Sequence, residues 1–284
     1  MFSYLVGVGD GVTRVVEASA VGGCAGDDGA VAVLVHGVGS HSGWWSRNVS
    51  DLAGMGYRTL CIDLPGHGFA ALQPGWPLTM PGYRDFLVAY LRSEVAKPAL
   101  LVGHSLGGHV AAMAALDAPG LVSGLVLSAP TGLFPVGIDA RRGTEARQTD
   151  FSREGIRRKL EFAVADRALV TDLWVEEDYR VALGPGVRDG IRAITRHIVE
   201  SLNDFVVGGE LGELASTVPT VVVWGSADRS VPMTPAVQRI VGPGRIEVVP
   251  DAGHVPHLET PGAFAEAVRS MGLSSDAPRS ATTG

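Results

Sequence analysis

Short apolar runs alternate along the chain with longer stretches of helical spacing. Near-continuous runs of valine, leucine and isoleucine cover residues 31–35, 58–62, 100–103 and 125–128. Runs of this length and composition are typical of strands that are buried on both faces of a parallel sheet. Residues 220–224 and 245–249 resume the pattern later in the chain. The alternation predicts an α/β protein with a mostly parallel sheet and helices on both faces.

The N-terminal segment carries a different signal. Two apolar segments, 2–8 and 12–18, flank the turn sequence Gly9-Asp10-Gly11. Glycine adopts the backbone conformations that tight turns need, so this arrangement predicts an antiparallel hairpin. Together with the six later runs, the hairpin brings the predicted sheet to eight strands.

The strand pattern is interrupted after the sixth run. Residues 131–215 are charged and amphipathic, and no strand is evident among them. Helical spacing recurs in 153–164, 169–179 and 187–205, which indicates amphipathic helices. We predict that the whole segment is a helical lid inserted after strand 6.

The lid divides the remaining sequence into two parts of one core. Residues 1–130 and 216–273 are expected to form this core together, with helices around 235–241 and 261–271 after the lid. Residues 274–284 are small and polar, and they predict a disordered tail. The result is one domain with an insertion, which is common for α/β folds of this length.

Composition and charge narrow the possible partners. The 284 residues include 23 basic and 30 acidic side chains, a formal net charge of −7, mixed along the sequence. Without a basic stripe to neutralise phosphates, nucleic acid is not an expected partner. No window of about 18 apolar residues is present, so we expect no membrane-spanning helix and no membrane partner. The expected partner is a small-molecule substrate, and the oligomeric state leaves no signal in the sequence.

Two cysteines bear on the cellular compartment. Cys24 lies in a glycine-rich loop and Cys61 lies in a buried strand run. A disulfide would have to join a loop to a core strand, so we expect two free thiols and a reducing environment. The N-terminus has no positive charge before Arg14, and glycines break its apolar stretch, which is unlike a signal peptide. These features predict a cytoplasmic protein.

The segment Gly103-His104-Ser105-Leu106-Gly107-Gly108 joins a strand run to a helical run. In that context Gly-x-Ser-x-Gly predicts a nucleophile elbow, in which the serine occupies a strained turn and the glycines avoid clashes. The strain lifts the Ser105 hydroxyl clear of the sheet. The backbone N–H of Leu106, at the start of the helix, is then aimed at a developing oxyanion. The alternative is a glycine-rich turn whose serine only caps the helix.

A second glycine-rich loop, Val35-His36-Gly37-Val38-Gly39, directly follows an earlier strand. Elbow-type sites take their second oxyanion donor from a loop in this position. We predict the Val38 N–H as that donor, since Gly37 and Gly39 let the backbone bend toward the serine. His36 is interpreted as a structural hydrogen-bonding residue. A phosphate-binding loop is the competing interpretation, and the missing Gly-Lys-Ser/Thr ending counts against it.

Two loops after late strands supply the expected acid and base. Asp228 follows the apolar run 220–224 by four residues, and His254 follows 245–249 by five. Both should therefore lie with Ser105 at the carboxyl edge of the sheet, in the chain order serine, acid, histidine. We predict a catalytic triad in which His254 takes the serine proton and Asp228 orients the imidazole.

Other titratable residues compete for these roles. His257, three residues beyond His254, is the rival base. Asp63 follows a strand but precedes the serine, and we interpret it as a turn-stabilising residue. Asp251 is too near His254 in sequence to orient its ring easily. Neither metal-ligand spacing nor a dinucleotide fingerprint is present, so we expect no metal and no cofactor.

With these motifs in this order, the chain resembles the α/β-hydrolase superfamily over about residues 2–272. The matching motifs are His36-Gly37, Asp63-Leu64-Pro65-Gly66-His67-Gly68, the elbow, Trp224-Gly225-Ser226-Ala227-Asp228 and Ala252-Gly253-His254. The resemblance implies the α/β-hydrolase fold, an eight-stranded sheet with a helical lid after the sixth strand. The elbow holds no aspartate nucleophile, which argues against the dehalogenases and epoxide hydrolases of this superfamily.

The lid sequence at 162–177 resembles the lids of meta-cleavage-product hydrolases, which cut carbon-carbon bonds in vinylogous diketo acids. Those enzymes usually have Asn where His104 stands, and a lid arginine for the substrate carboxylate near the position of Glu161. An acidic residue there would repel that carboxylate. The form Gly-His-Ser-Leu-Gly is similar to many carboxylesterases, lactonases and lipases.

The leading hypothesis is a serine hydrolase that cleaves a carboxylic ester or lactone of a small, largely apolar molecule through an acyl-enzyme. A carbon-carbon bond hydrolase is the second hypothesis. The third is a non-hydrolytic biosynthetic role, such as a cyclase or lyase, or a ligand-binding role on the same fold. Residues of the early loops, the elbow, the lid and the late loops are pocket candidates, and each aromatic among them could equally pack in the core or lid. They are His36, Gly37, Trp44, His104, Phe134, Phe162, Trp174, Val231 and His257, with the aromatics Trp45 and Phe69 beside them.

Overall fold

A single eight-stranded sheet forms the centre of the computed structural model, which describes residues 1–20, 29–70, 77–242 and 244–272. The strands are β1 (Phe2–Val8), β2 (Gly11–Ala18), β3 (Val31–Val35), β4 (Arg58–Ile62), β5 (Ala99–His104), β6 (Val122–Ser128), β7 (Thr220–Gly225) and β8 (Arg245–Val249). The predicted thiol at Cys24 and the predicted tail at 274–284 lie outside the described residues, whereas Cys61 is a buried free thiol.

The strand order across the sheet is β1-β2-β4-β3-β5-β6-β7-β8. The pairs β1–β2 and β2–β4 are antiparallel, and every other neighbouring pair is parallel. The mostly parallel eight-stranded sheet is thereby confirmed, including the N-terminal hairpin, in which Val8 pairs with Gly11. The carboxyl ends of β3, β5, β7 and β8 lie at one edge of the sheet because these strands are parallel, so the loops that follow them are neighbours in space.

The α-helices of the described ranges alternate with the strands in the core and follow one another in the insertion. They are α1 (Val49–Gly54), α2 (Met80–Tyr90), α3 (Leu106–Asp117), α4 (Ile138–Thr149), α5 (Arg153–Ala163), α6 (Asp172–Ala182), α7 (Val187–Ser201), α8 (Gly208–Leu214), α9 (Val237–Val241), α10 (Pro256–Glu259) and α11 (Pro261–Arg269). Residues 131–215, all of which are described, contain α4 to α8 and no strand. The prediction of a helical lid after the sixth strand is confirmed.

Both faces of the sheet are buried. Along β5, Leu101 belongs to the core of one face, and Leu100 and Val102 belong to the core of the other. This division follows from the strand geometry, because successive side chains point to opposite faces. Helices α2 and α3 supply apolar residues to the first core, and α1 and α11 supply them to the second. Packing on both faces explains why the central strands are apolar without alternation.

Two helices of the lid are missing from the sequence-based prediction. The longer one, α4, has no buried residue, and Ile138 is its only large apolar side chain. Without an apolar stripe, a helix gives no periodic signal. In contrast, α5 and α6 have apolar stripes and side-chain N-caps, in which Ser152 accepts from the Gly155 N–H and Thr171 accepts from the Trp174 N–H.

Across the described ranges, none of the helices has both the length and the apolar character that a membrane span requires.

Candidate active site

Ser105 lies in the turn between β5 and α3 with a strained backbone. Its φ is 52° and its ψ is −117°, a conformation that non-glycine residues rarely adopt. Three backbone hydrogen bonds hold this turn. The Ser105 N–H donates to the Ser128 carbonyl at 2.9 Å, and the Ser105 carbonyl accepts from the N–H groups of His109 and Thr131 at 3.1 and 3.2 Å. The surrounding structure therefore imposes the elbow that the sequence predicted.

The glycines of the elbow are required by close backbone approach. A Cβ added at Gly103 would lie 2.4 Å from the Gly107 carbonyl oxygen. A Cβ added at Gly107 would lie 2.4 Å from the carbonyl oxygens of Val35 and His36. Both distances are far shorter than any real contact of a methyl carbon with backbone. The helix α3 can begin this close to β3 only because neither position has a side chain.

The predicted triad residues are hydrogen-bonded to one another. The Oγ of Ser105 lies 3.0 Å from Nε2 of His254, and Nδ1 of His254 lies 2.8 Å from Oδ2 of Asp228. An ionised carboxylate only accepts hydrogen bonds, so the ring proton is on Nδ1 and the free Nε2 faces the serine hydroxyl. This arrangement allows general-base removal of the serine proton.

Backbone contacts fix the acid and the base. The second carboxylate oxygen of Asp228 accepts from the N–H groups of Ser230 and Val231 at 2.7 and 2.9 Å. The N–H of His254 donates to the carbonyl of Ala163, the last residue of α5, at 2.7 Å. A Cβ added at Gly253 would lie 2.4 Å from that same carbonyl oxygen. The lid therefore contacts the backbone of the base directly.

The loop after β3 approaches the serine closely. A Cβ added at Gly37 would lie 3.1 Å from the Ser105 Cβ and 2.9 Å from the His104 Nδ1. The side-chain hydroxyl of Ser40 donates to the Gly37 carbonyl at 2.9 Å, which holds the loop in place. The predicted oxyanion donors, Val38 and Leu106, line the same cavity as Ser105. Their N–H groups stay our prediction for the oxyanion hole.

One cavity of about 320 Å³ opens onto Ser105 and His254. Core loops form one wall, and α4, α5 and the end of α7 contribute to the other. Six predicted pocket residues line it: Gly37, Trp44, His104, Phe134, Phe162 and Val231. The cations Arg141, Arg147 and Lys159 also line it, and no aspartate or glutamate does so within the described residues.

Three predicted pocket residues do not line this cavity. His36 lies behind the loop, where its Nε2 accepts from the Leu64 N–H at 2.9 Å. His257 is buried, with its ring 4.3 Å from Trp45 and its Nδ1 3.3 Å from the Ser128 hydroxyl. Neither packing position could be deduced from chain order, because both depend on contacts between distant segments.

Trp174 lies at a different surface of the lid. It lines a separate cavity of about 190 Å³, and its ring is edge-on to Trp44 at 5.4 Å. The two additional aromatics also lie outside the Ser105 cavity. Trp45 is fully buried in the core, and Phe69 is exposed with the Arg14 guanidinium 4.3 Å above its ring. Only Trp44 among these tryptophans reaches the serine's cavity.

His104 supports the base through a hydrogen bond to its backbone carbonyl. Its Nε2 lies 2.9 Å from the His254 carbonyl oxygen, and the two rings are 4.9 Å apart. Because a carbonyl only accepts, Nε2 carries the proton. Burial, and then the neighbouring His257 and His254, hold the pKa of His104 well below its usual range. His104 is therefore a neutral donor.

Asp63 is far from a catalytic role, in agreement with its interpretation as a turn residue. Its carboxylate accepts from the N–H groups of Ser42 and Phe69 at 2.7 and 2.8 Å and pairs with Arg14 at 3.0 Å. Burial alone would raise its pKa, but Arg14 and then His36 bring the pKa below its usual value. Asp63 thus joins the loops after β4 and around the short helix at Ser42–Trp45.

Sequence analysis missed a buried polar cluster between the lid and the core. Asp178 of α6 accepts from the Trp44 indole N–H at 3.1 Å and pairs with Lys159 at 3.3 Å. Lys159 also donates to the Gly39 carbonyl at 2.8 Å, next to the predicted oxyanion donor. An acidic residue at helical spacing from Val175 and Ala182, which are buried, was the available signal.

The described ranges contain no group of three or more side chains arranged to hold a metal ion.

Comparisons with known proteins agree with this geometry. A model of the "Alpha/beta hydrolase family" matches residues 32–267. A 2-hydroxy-6-oxononadienedioate/2-hydroxy-6-oxononatrienedioate hydrolase of Cupriavidus pinatubonensis is 30% identical over 76% of this chain and 78% of its own length. A dihydrolipoyllysine-residue acetyltransferase component of the acetoin cleaving system of Cupriavidus necator is 30% identical over 83% of this chain. The chain spans 62% of that protein's length.

Two solved structures show the breadth of the similarity. A serine hydrolase involved in carbazole degradation superposes with a TM-score of 0.80 at 25% identity, over 95% of this chain and 98% of its own. A thermophilic esterase from Thermogutta terrifontis superposes with a TM-score of 0.74 at 22% identity, over 95% of this chain and 97% of its own. The second likeness concerns the fold alone. From its fold and its family match over residues 32–267, the chain belongs to the alpha/beta hydrolase family.

Proposed function

We propose that the protein hydrolyses a carboxylic ester or lactone of a small, largely apolar molecule through an acyl-enzyme at Ser105. The observation that supports this most strongly is the continuous hydrogen-bonded chain from Ser105 through His254 to Asp228, with its serine end open to a cavity. A hydroxyl activated in this way can attack the acyl carbon of many different substrates. The bond that is cut therefore depends on what the cavity admits.

Acylation would begin as His254 Nε2 removes the Ser105 proton and Oγ attacks the carbonyl carbon. The carbonyl becomes a tetrahedral oxyanion, and the N–H groups of Val38 and Leu106 would donate to it. The imidazolium, stabilised by Asp228, then gives its proton to the leaving alkoxide. The C–O bond breaks, the alcohol departs, and the acyl group stays on Oγ.

Deacylation would repeat the sequence with water as the nucleophile. His254 removes a proton from water, and the hydroxide attacks the acyl carbon of the Ser105 ester. Collapse of the second oxyanion expels Oγ, which takes its proton back from His254. A carboxylic acid is released, and the free enzyme is restored.

Cavity size and lining support a small substrate. A volume of about 320 Å³ is at the low end of the range of ligand pockets, which is roughly 300–1,000 Å³. Aromatic and aliphatic side chains, among them Trp44, Phe134, Phe162 and Val231, form much of its surface. Such a lining favours a compact molecule with apolar parts.

The test is intact mass after incubation with a fluorophosphonate probe. Wild type and Ser230→Ala, which changes another serine that lines the cavity, should each gain one adduct, and Ser105→Ala should gain none. A panel of esters and lactones then measures turnover with the same variants. An adduct on Ser105→Ala, or no adduct on folded wild type, would contradict the acyl-enzyme and bring the non-hydrolytic hypothesis forward.

A second candidate is the hydrolysis of a carbon-carbon bond. The Cupriavidus pinatubonensis relative is named for this reaction on a dienedioate, and the cavity's cations suit an acidic substrate. The objection from Glu161 is weaker in the structure, since Glu161 does not line the cavity. Loss of the absorbance of a dienoate ring-fission product, with negligible turnover of short acyl esters, would favour this candidate over the first.

A further inference from the structure

The charged side chains that line the catalytic cavity are all positive in the described part of the chain. Arg141, Arg147 and Lys159 line it, and no carboxylate does so in the described part of the chain. This is unexpected from composition, because the protein as a whole has a formal net charge of −7. A positive lining inside an acidic protein attracts anions to that cavity in particular.

Two of the three cations have partners that occupy them. Lys159 pairs with Asp178 at 3.3 Å and donates to the Gly39 carbonyl at 2.8 Å. Arg141 donates to the carbonyls of Ile198 and Val199 near the end of α7, where the negative end of the helix dipole favours a cation. Lys159 is held by these contacts, whereas the Nε of Arg141 is buried and has no hydrogen-bond partner in the described residues, so Arg141 keeps one donor for a ligand.

Arg147 differs from both, because neither a carboxylate nor a backbone carbonyl of the described residues accepts a hydrogen bond from it. Its one hydrogen bond is to the Thr144 hydroxyl at 3.3 Å. The guanidinium lies 4.2 Å from the centre of the Phe162 ring, and its N–H groups other than the one that binds Thr144 have no acceptor in the described residues. Burial lowers the pKa of Arg147, yet arginine stays protonated in proteins. A half-buried cation of this kind is stabilised by a ligand that brings a negative charge.

The neighbouring residue offers a second polar group. The Oε1 of Gln148 is buried and has no hydrogen-bond partner in the described residues. Rotation of the amide by half a turn would present its two N–H donors instead. Thr144 lies three residues after Arg141, three before Arg147 and four before Gln148, so the other three side chains neighbour Thr144 on one side of α4. All four line the Ser105 cavity.

We infer that the substrate is an acidic ester or lactone, which carries a carboxylate in addition to the bond that is cut, and that Arg147 binds this carboxylate. The inference rests on the proposed function, which supplies the scissile bond. A guanidinium binds a carboxylate through two parallel N–H···O bonds. Gln148 is positioned to add a further donor. The side of α4 that faces the cavity thus determines which esters are accepted.

The test compares matched pairs of esters that differ in one carboxylate. For the acyl side the pair is p-nitrophenyl hydrogen glutarate and p-nitrophenyl valerate. For the alcohol side it is 4-carboxyphenyl butyrate and phenyl butyrate. For each pair, kcat/KM of the acidic ester is divided by that of the neutral ester. In wild type we expect a ratio of about 10 or more for at least one pair.

The key variant is Arg147→Met, with Arg142→Met as the matched control on the exposed side of the same helix. Arg147→Met should lower the wild-type ratio by about 10- to 100-fold, since a hydrogen-bonded charge is lost. Arg147→Lys should restore part of it, and Arg142→Met should leave it unchanged. A ratio that is the same in wild type and Arg147→Met for both pairs would overturn the inference.

Binding to Ser105→Ala separates this inference from the proposed function. Calorimetric titration with the four esters needs no turnover. Tighter binding of an acidic ester than of its neutral partner, lost in Ser105→Ala/Arg147→Met, supports the anion site even if hydrolysis fails. Fluorophosphonate labelling of wild type without any acid preference leaves the proposed function standing and overturns the anion site.

Discussion

The two walls of the catalytic cavity are built in different ways. On the core wall, backbone touches backbone: Gly103 and Gly107 of the elbow each lie where an added Cβ would be 2.4 Å from a backbone carbonyl oxygen. On the lid wall, α4 contributes half-buried or exposed side chains, all of them polar except Ala140. The core wall therefore fixes the position of the reacting groups, and the lid wall offers side chains that can change without disturbing the sheet.

This difference has a functional meaning. A substitution on the core wall should change the rate for every substrate, because it moves or removes the reacting groups. A substitution on the lid wall should change the ranking of substrates, because it alters the contacts that bind the substrate and leaves the reacting groups in place. The following experiments can break or sharpen that division, and they run from the largest expected effect to the smallest.

Asp228→Asn should have the largest effect on catalysis. The amide keeps the shape of the side chain but can impose the wrong tautomer on His254, and loss of the orienting acid costs about 10⁴-fold in kcat in serine proteases. Asp251→Asn is the matched control, since Asp251 is an exposed acid near the same loop with a φ of 57° that Asn tolerates. Steady-state hydrolysis of several esters measures both. A loss that is confined to one ester would break the division between the walls.

Gly107→Ala should strongly destabilise the fold. The new methyl group would meet two backbone carbonyl oxygens at 2.4 Å, so β3 or α3 must shift, at a cost of about 3 kcal/mol. Gly209→Ala in α8 of the lid is the control, because nothing lies within 4 Å of its added Cβ. Alanine there should leave the free energy of unfolding unchanged or raise it by up to about 1 kcal/mol. Urea denaturation compares the two variants, and equal stabilities would contradict the packing argument.

Acid should destabilise the folded protein through the buried histidines of its core. Burial lowers the folded-state pKa of His36 and His109 to about 4 and of His67 and His257 to about 3. In the unfolded chain these groups titrate near 6.5, so as pH falls below about 6.5 the unfolded state binds protons first. Stability is complete above that pH and falls by about 1.4 kcal/mol per pH unit for each neutral histidine.

The measurement is the free energy of unfolding in urea at pH 7.5, 6.5 and 5.5. His257→Gln should make the free energy of unfolding fall less steeply with pH, by the contribution of one proton, because one buried neutral histidine is removed. A free energy that stays constant from pH 7.5 to 5.5 would show that these rings are not held neutral in the folded core.

Lys159→Met tests the place where a lid side chain reaches the core wall. Without the bond to the Gly39 carbonyl, the loop that carries Val38 is less firmly placed, and we expect kcat to fall by about 10-fold. KM should change less, and Lys159→Arg should restore part of the rate. Arg158→Met, an exposed neighbour on α5, is the control. A change in KM alone would show that Lys159 contributes to substrate binding and does not position the loop that carries Val38.

The sequence predicted the core wall well because its signals are local. Each strand run is continuous, and the elbow motif around Ser105 stands directly between a strand and a helix. Chain order then places Asp228 and His254 at the same edge of the sheet, and the structure brings them within hydrogen-bonding distance. Their catalytic roles, and those of Val38 and Leu106, stay predictions until activity is measured.

The lid wall was less accessible from the sequence for physical reasons. Helix α4 is polar on all sides, so no periodicity marks it, and Arg147 could not be placed in the cavity. Trp174 belongs to the lid and His257 follows His254 by three residues, yet neither side chain lines the Ser105 cavity. Trp174 lines a separate cavity, and His257 packs against Trp45. Side-chain direction depends on contacts between segments far apart in the chain, which a pattern of apolar positions does not contain.

The hydrogen bond from the His254 N–H to the Ala163 carbonyl has a consequence for the timing of the reaction cycle. If α5 lifts away to admit substrate or release product, that bond breaks and the imidazole loses a backbone support at the same moment. The open state would then activate Ser105 slowly. Water or an alcohol that enters the open cavity would meet a serine hydroxyl that is not activated. If α4 moves and α5 stays in place, the cavity can open while the hydrogen bond to His254 is kept, and the enzyme stays active in its open state.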